Sequence, residues 1–345
     1  MVHRVRTPGA LKPQEFSICY QWSKLDTTLD QTTVKSTVSQ GTLIALIATV
    51  LWSSTAIFIR YLNTAYQMPP MVLAFWRDFL VFVALCLAFL ILNPRRLRIS
   101  RRQIPFLIGY GFLLALFNAL WTLSVAFNGA AVSTVLAYSS PAFTAILGWR
   151  IFGELLDRFK ILAVVFSFAG CVLVSGVLDA AQWQANTWGI LIGVVSGLAF
   201  AIYSIMGKAA SRRRIPPWTV MVYTFGVAAL FLFGFNLVRG WLPVAGPAPS
   251  LFWLGNALFG WLVLVVLAVG PTVGGYGLYT VSLSYLPASF ANLIATFEPA
   301  LTVMLAFLFL KESLNGAQLL GSGLIISGML LVHYRESRAV KKAAT

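Results

Sequence analysis

Three ionisable residues lie deep inside long apolar stretches of the sequence, where a charged group is costly unless it has a function or a partner. Glu298 precedes Pro299, and Arg77 precedes Asp78. A carboxyl group among apolar neighbours can alternate between protonated and charged forms, so Glu298 is a candidate proton-coupling residue; a permanently protonated strut is the alternative. Arg77 could bind a carboxylate through two parallel hydrogen bonds, or it could join two helices as a strut.

Arg77 and Asp78 are neighbours in the sequence, which makes them poor partners for each other. Adjacent side chains on a helix point about 100° apart, so we expect each to pair with a group on another helix. Glu298 is one candidate partner for Arg77. Enzymatic chemistry, a metal site and a cofactor are not expected, because the three cysteines lie far apart and the two histidines lie at opposite ends of the chain.

Polar and aromatic side chains at a similar depth complete the set of candidates. Aromatic faces combined with hydroxyl and amide groups suit a small amphipathic molecule in an otherwise apolar cavity. A single Ser or Thr is more often bonded to its own helix, so only the convergence of several stretches is informative. Besides Arg77, the candidate substrate-binding residues are Trp52, Ser54, Asn118, Trp121, Tyr138, Tyr203, Tyr276, Tyr279 and Asn292.

Membrane-spanning helices must position these residues. Of the 345 residues, 59% are hydrophobic and 10% are charged, whereas soluble domains have roughly 45–50% apolar and about 25% charged residues. The sequence therefore predicts an all-α polytopic membrane protein. Apolar stretches of about 20 residues predict ten spans, at about 41–60, 69–92, 104–127, 130–152, 159–177, 187–208, 217–238, 259–284, 287–311 and 314–334.

The distribution of charge predicts the orientation of these spans. With both termini in the cytoplasm, nearly all Lys and Arg residues fall on the cytoplasmic side, and only Arg60, Arg239 and Lys311 fall on the outer side. Topology thus explains the net charge of +15 without a nucleic-acid partner, and the basic loops can contact lipid head groups. We predict a multi-pass protein of the inner (plasma) membrane, with an outer loop at 240–258 that ends in a short interfacial helix.

An internal repeat relates the two halves of the chain. Residues 124–176 align with 282–334 at a constant offset and share residues that are not expected by chance in apolar segments: Pro141 with Pro299, Glu154 with Glu312, and Gly170 with Gly328. The chain is therefore divided into a disordered cytoplasmic tail at 1–40, five-span halves at 41–177 and 187–334, and a basic cytoplasmic tail at 335–345. Because five is odd, the second half must be inverted in the bilayer, as in many secondary transporters.

Each half is expected to contain a broken helix at the same depth. Proline lacks the N–H group that continues a helix, and freed backbone carbonyls are tolerated where a helix faces protein or water. The breaks are predicted at Ser140 and Pro141 in the first half and at Glu298 and Pro299 in the second. Paired breaks of this kind are typical of the binding site of a transporter.

Four segments resemble the paired EamA domains of the drug/metabolite transporter superfamily. They are LIALIATVLWSSTAIFIR in the first span, SPAFTAILGWRIFGE at 140–154, EPALTVMLAFLFLKE at 298–312 and GSGLIISGMLLV at 321–332. The resemblance implies a ten-helix carrier in which helices one to four and six to nine surround a central cavity, with helices five and ten at the periphery. The superfamily includes exporters of amino acids and other metabolites, so the resemblance by itself does not name the transported molecule.

The sequence therefore predicts a secondary active transporter that exports small neutral or zwitterionic metabolites by alternating access. Phosphorylated solutes are disfavoured, because only Arg77 is deep enough to balance their charge. A passive channel or facilitative pore is the alternative, and it would show neither saturation nor countertransport. The expected partners are a small-molecule substrate, the lipid bilayer and protons, in a monomer or a homodimer.

Overall fold

The computed structural model describes residues 13–154, 156–174, 187–239, 250–301, 304 and 316–342. These residues contain helices and no strand, which confirms the all-α fold class. The helices are α1 (Pro13–Tyr66), α2 (Pro70–Leu92), α3 (Ile104–Ala137), α4 (Ser140–Phe152), α5 (Arg158–Val174), α6 (Thr187–Arg212), α7 (Pro217–Arg239), α8 (Leu258–Leu267), α9 (Val273–Tyr285), α10 (Ala288–Ala295) and α11 (Gly316–Lys342).

Six helical segments in the described part of the chain are long and apolar enough to cross a membrane. Large apolar side chains cover their outer surfaces; Leu92 and Leu258, for example, are 80% and 81% exposed. Such a surface is stable in a bilayer and not in water. The protein is therefore a multi-pass membrane protein. The other four predicted spans correspond to α4, α5, α10 and α11, in part with residues outside the described ranges.

The first helix begins earlier than the sequence predicted. It starts at Pro13, so residues 13–40, which we expected to be disordered, are helical. A proline at the first position suits a helix start, and neither glycine nor proline occurs between Pro13 and Gly41. The prediction of disorder is therefore wrong for residues 13–40, and residues 1–12 lie outside the described residues.

The boundary between the third and fourth predicted spans is a bend within continuous helical structure rather than a loop. Helical structure continues from Ile104 to Ala137, across the predicted boundary near residue 128. The Oγ atoms of Ser124 and Ser133 nevertheless lie 2.9 Å apart, whereas nine residues of straight helix cover about 13.5 Å. The chain therefore bends sharply between these two serines, although its helical hydrogen bonding continues.

The outer loop ends in turns rather than in the predicted interfacial helix. Residues 251–256 form successive turns, which three indole N–H groups hold in place. Trp76 donates to the carbonyl of Leu251, and Trp261 donates to that of Gly255. Trp253 donates to the carbonyl of Tyr66. These tertiary bonds satisfy backbone groups that a short helix would have satisfied internally.

The eighth span is a continuous helix that contains one π-helical turn. A π-helical turn, Ala268–Thr272, joins α8 to α9 and contains Pro271. Proline cannot donate its backbone nitrogen, so one carbonyl of the preceding turn loses its partner. The Thr272 hydroxyl donates to the Leu267 carbonyl at 2.8 Å. This bond supplies a replacement donor at the irregular turn.

The two halves interlock through contacts that the sequence repeat relates to one another. α1 packs on α9, and α3 packs on α6; these contacts are equivalent under the repeat. Three further pairs each consist of two helices that the repeat relates to each other: α2 packs on α7, α4 on α10, and α5 on α11. Such reciprocal contacts are expected of two halves related by an inverted repeat. They bring α1, α3, α6 and α9 together at the interface between the two halves.

Candidate functional site

An aromatic cluster lies where α1, α6 and α9 meet. The Trp52 ring centroid lies 4.9 Å from that of Tyr276 and 5.0 Å from that of Tyr279. Phe200 stacks on Tyr203 with centroids 6.0 Å apart, and it lies 6.3 Å from Trp52. Rings at these distances attract one another beyond the burial of their surface. The structure thus brings together four candidate binding residues, namely Trp52, Tyr203, Tyr276 and Tyr279, from both halves of the chain.

A glycine on α9 allows Trp52 to approach the helix backbone. A Cβ atom added to Gly275 would lie 2.6 Å from Nε1 of Trp52, which is closer than packed atoms allow. The glycine therefore fixes the position of the indole ring against α9. The sequence motif GPTVGGYG at 270–277 thus serves close helix packing in this structure.

Arg77, Asp78 and Asn118 form a closed polar network between α2 and α3. Arg77 Nε lies 3.2 Å from Asp78 Oδ1, and Arg77 Nη2 donates to Asn118 Oδ1 at 3.1 Å. Asn118 Nδ2 in turn donates to Asp78 Oδ2 at 2.9 Å. Each of Arg77 and Asp78 thus has the expected partner on another helix, namely Asn118. They also pair with each other, which was not expected, because the long arginine side chain can fold back to its neighbour. The low-dielectric surroundings strengthen that pairing.

Glu298 is bonded to a tyrosine from the other half rather than to Arg77. The Tyr138 hydroxyl donates to Glu298 Oε2 at 2.7 Å. Because Tyr138 lies in the turn between α3 and α4, this bond joins the two helix breaks directly. The suggested pairing of Glu298 with Arg77 is not observed, since the guanidinium is engaged by Asp78 and Asn118. Tyr276 interacts electrostatically with both Glu298 and Arg77.

The two helix breaks lie where the paired prolines occur. The first break is the turn at residues 138–139, after which α4 begins at Ser140 with Pro141 in its first turn. The second is the turn at residues 296–297, after which helical structure resumes at 298 with Pro299 in its first turn. A Cβ atom on Gly197 of α6 would lie 3.0 Å from the Ala137 carbonyl oxygen. The first break is thus packed closely against α6.

Asn292 connects three helices through hydrogen bonds. Its Nδ2 donates to the hydroxyls of Thr144 at 3.0 Å and Ser204 at 3.1 Å. Its Oδ1 accepts from Ser140 at 3.1 Å. Ser204 also shares a 2.7 Å hydrogen bond with the hydroxyl of Tyr279. This polar chain leads from the first helix break to the aromatic cluster, and all of its members are buried.

Two predicted residues lie apart from these interactions. The Ser54 hydroxyl donates to the Leu51 carbonyl of its own helix at 2.7 Å. Trp121 is half-buried on α3, and it has no aromatic ring contact with the described residues. We therefore do not place Ser54 at the centre of the site. This bond follows the general tendency of a helical serine to donate to a carbonyl of its own helix.

Sequence reasoning missed two residues that extend the site. Tyr110 is fully buried on α3, and its ring centroid lies 4.7 Å from that of Tyr203. Thr144 bonds Asn292, and its identity with Thr302 in the sequence repeat was a usable signal. Tyr110 gave no such signal, because an aromatic residue within a span most often faces lipid or the core.

The arrangement can hold a small molecule between aromatic faces and a few fixed polar groups. The carboxyl group of Glu298 and the ion pair of Arg77 with Asp78 all interact electrostatically with Tyr276. The described residues contain no group of His, Cys, Asp and Glu side chains that could hold a metal ion. The hydroxyl and amide groups of the site can form hydrogen bonds to a bound molecule, and a carboxyl group such as that of Glu298 can exchange a proton.

Comparison with known proteins is consistent with this architecture. Residues 39–176 and 187–334 match the EamA-like transporter family. An uncharacterized transporter of Synechocystis sp. is 26% identical over 246 residues, which cover 71% of each chain. The threonine/homoserine exporter RhtA of Salmonella typhimurium is 26% identical over 241 residues, which cover 69% of this chain and 74% of the exporter.

The fold also occurs among solved structures. One crystal structure superposes with a TM-score of 0.70 at 20% identity and covers 87% of this chain and 99% of its own. At this identity the likeness concerns the fold alone. Both copies of the family domain were expected from the sequence motifs, and the resemblance to the drug/metabolite transporter superfamily is confirmed. The chain belongs to the EamA-like transporter family.

Proposed function

We propose that the protein is a secondary active exporter of small neutral or zwitterionic metabolites such as amino acids. The two halves would rock about the aromatic cluster and the helix breaks, exposing them to one side of the membrane at a time. The hydrogen bond between Tyr138 and Glu298 carries this proposal, because it joins a broken helix of one half to a broken helix of the other. A site at such a junction changes whenever the halves move.

Similarity to a characterised relative supports the substrate class. The exporter RhtA, whose name assigns it threonine and homoserine, matches 69% of this chain. Both solutes are small zwitterions with a polar side chain. Fixed hydroxyl and amide groups beside aromatic faces are suited to molecules of this kind.

The charges in the described spans also favour a solute with little net charge. Arg77 is already paired with Asp78. Two further lysines, Lys160 and Lys208, are largely buried near the cytoplasmic ends of α5 and α6 in the proposed orientation. Lys160 donates to Ser289, and Lys208 donates to the carbonyl oxygens of Leu283 and Leu286. A phosphorylated solute would be expected to need several unengaged cations.

A ligand-stabilisation screen tests the substrate class. We expect small neutral amino acids to raise the unfolding temperature of the purified protein in detergent, because a ligand that binds only the folded state stabilises it by mass action. Tyr279→Ala should weaken this shift by removing part of the aromatic cluster. Ile91→Ala is a matched control, since Ile91 is 80% exposed at the end of α2. Stabilisation by sugar phosphates but not by amino acids would contradict the proposal.

We further propose that both termini lie in the cytoplasm of the cell and that the protein resides in the inner membrane. The support is the concentration of Lys and Arg on one side of the spans. Reporter fusions to either terminus that become active only outside the cytoplasm should stay silent. An active fusion at one terminus would refute the even number of spans. The repeat counterpart Glu312, which we expect near the outer face, lies outside the described residues.

A further inference from the structure

The junction between α9 and α10, residues 283–289, is held by charged side chains that the candidate site does not use. Glu154 follows α4, Lys160 lies in the first turn of α5, and Lys208 lies near the end of α6. All three are withdrawn from solvent to a large extent, although each lies close to a cytoplasmic loop in the proposed orientation. We call their contacts with residues 283–289 the cytoplasmic clamp.

Glu154 caps the first turn of α10 from a different half of the protein. Its Oε1 accepts from the backbone N–H of Ala288 at 2.7 Å, and its Oε2 accepts from that of Ser289 at 3.3 Å. The Ser289 hydroxyl also donates to Oε2. The first N–H groups of a helix have no partner within the helix, and the positive end of its dipole attracts an anion. These bonds are therefore charge-assisted and hold the start of α10.

The backbone after α4 directs Glu154 to this position. Gly153 adopts a left-handed conformation with φ of +69°, which reverses the chain at the helix end. The Glu154 side chain then folds over Gly148, where a Cβ atom would lie 2.6 Å from Oε2. The sequence WRIFGE at 149–154 thus encodes a turn that presents a carboxylate to the other half.

Two lysines complete the clamp. Lys160 Nζ donates to Ser289 Oγ at 2.9 Å and lies 4.0 Å from Glu154 Oε2. Lys208 Nζ donates to the carbonyl oxygens of Leu283 at 2.9 Å and Leu286 at 2.7 Å, at the end of α9. A cation thus satisfies the end of one helix, and an anion satisfies the start of the next. The junction is held from both directions.

The clamp lies between the cytoplasm and the polar chain of the site. Ser289 and Asn292 are one helical turn apart on α10, and residues 288–296 are all buried. The inner part of α1 also closes on the junction, because a Cβ atom on Gly41 would lie 2.6 Å from Cβ of Tyr285. A solute bound beside Asn292 has this junction between itself and the cytoplasm.

We propose that the cytoplasmic clamp is the inner gate of the transporter, and that its rupture opens the site to the cytoplasm. This inference rests on the proposed function. Its physical basis is that charged groups and helix ends can exchange their mutual bonds for bonds with water when the junction moves into the aqueous phase. An apolar contact offers no such exchange. The structure thus represents the state that is closed to the cytoplasm.

Labelling of a single cysteine tests the gate without any substrate. Cys19, Cys86 and Cys171 are replaced by alanine, and Ala291→Cys is introduced as a probe, since Ala291 is fully buried one turn inside Ala288. A membrane-impermeant maleimide is then applied to inside-out and right-side-out vesicles. We expect Glu154→Gln and Lys208→Met each to raise the labelling rate from the cytoplasmic side about tenfold or more, with no rise from the outer side.

Asp157→Asn is the matched control for the carboxyl-to-amide change. Asp157 lies three residues from Glu154, and its Oδ1 accepts from the backbone N–H of Lys160, a bond that asparagine also makes. This variant should label at the parent rate. If Glu154→Gln does not fold, Ser289→Ala takes its place in the labelling test, because it removes one bond to Glu154 and the bond to Lys160.

Two results would overturn the gate. Labelling at the parent rate in Glu154→Gln and Lys208→Met would show that the clamp does not control access. An equal rise from both faces would show that it only stabilises the fold. Because the measurement reads accessibility, a transport assay that fails for every solute refutes the proposed function while the labelling result stands by itself.

Discussion

Asp78→Ala is expected to lower the free energy of unfolding by about 3–5 kcal/mol, because it leaves a buried guanidinium without its carboxylate. Asp78 is fully buried and accepts from both Arg77 and Asn118. Removal of the carboxylate leaves a charge in surroundings that cannot hydrate it. Unfolding measured in detergent at increasing denaturant concentration reports the loss.

Two further variants define this prediction. The double substitution Arg77→Met with Asp78→Leu should recover most of the lost stability, because it removes the charge together with its partner. Arg102→Gln, at an exposed position in the short 3₁₀ helix Arg101–Gln103, should change stability by no more than about 0.5 kcal/mol. A loss below about 1 kcal/mol for Asp78→Ala would show that water already reaches Arg77, and the closed network would be refuted.

The sequence predicted the class of fold and the positions of two helix breaks, because both depend on regular signals. Apolar stretches show the spans, and the shared Pro141 and Pro299 show where two helices break. The repeat also makes the packing of α1 on α9 equivalent to the packing of α6 on α3. Periodicity and internal symmetry thus carry information about tertiary contacts.

The individual partners could not be predicted, because they depend on side-chain reach. Helical geometry argued against the pairing of Arg77 with Asp78, yet the long arginine side chain folds back to its neighbour. The partner of Glu298 is a tyrosine in a turn, and no sequence spacing indicates that contact. The role of Glu154 was also missed, since it depends on the left-handed conformation of Gly153 at the end of α4.

Glu298→Gln is expected to abolish accumulation of solute driven by a pH gradient while exchange of labelled solute continues. Glutamine keeps an oxygen that can accept the hydrogen bond from Tyr138, but it cannot release or take up a proton. We expect at least a tenfold fall in pH-driven accumulation in proteoliposomes, with exchange within about twofold of the parent. Both quantities are measured in the same preparation, so a loss of folded protein affects them together.

Glu298→Asp is the control for this variant, because it keeps a carboxyl group that can release and take up a proton. It should retain pH-driven accumulation. If Glu298→Gln accumulates solute as the parent does, then Glu298 is a hydrogen-bonding strut beside Pro299, and the coupling role is refuted. A loss of exchange in Glu298→Gln would instead place the carboxyl group in substrate binding.

The most direct test of the account is counterflow by the parent protein. Proteoliposomes are loaded with a high concentration of the amino acid that stabilises the protein most, and a trace of the labelled amino acid is added outside. A carrier with alternating access should accumulate the label transiently above its equilibrium level, and the initial rate should saturate with concentration. Entry that increases linearly with concentration, without transient accumulation, would contradict the account and identify a passive pore.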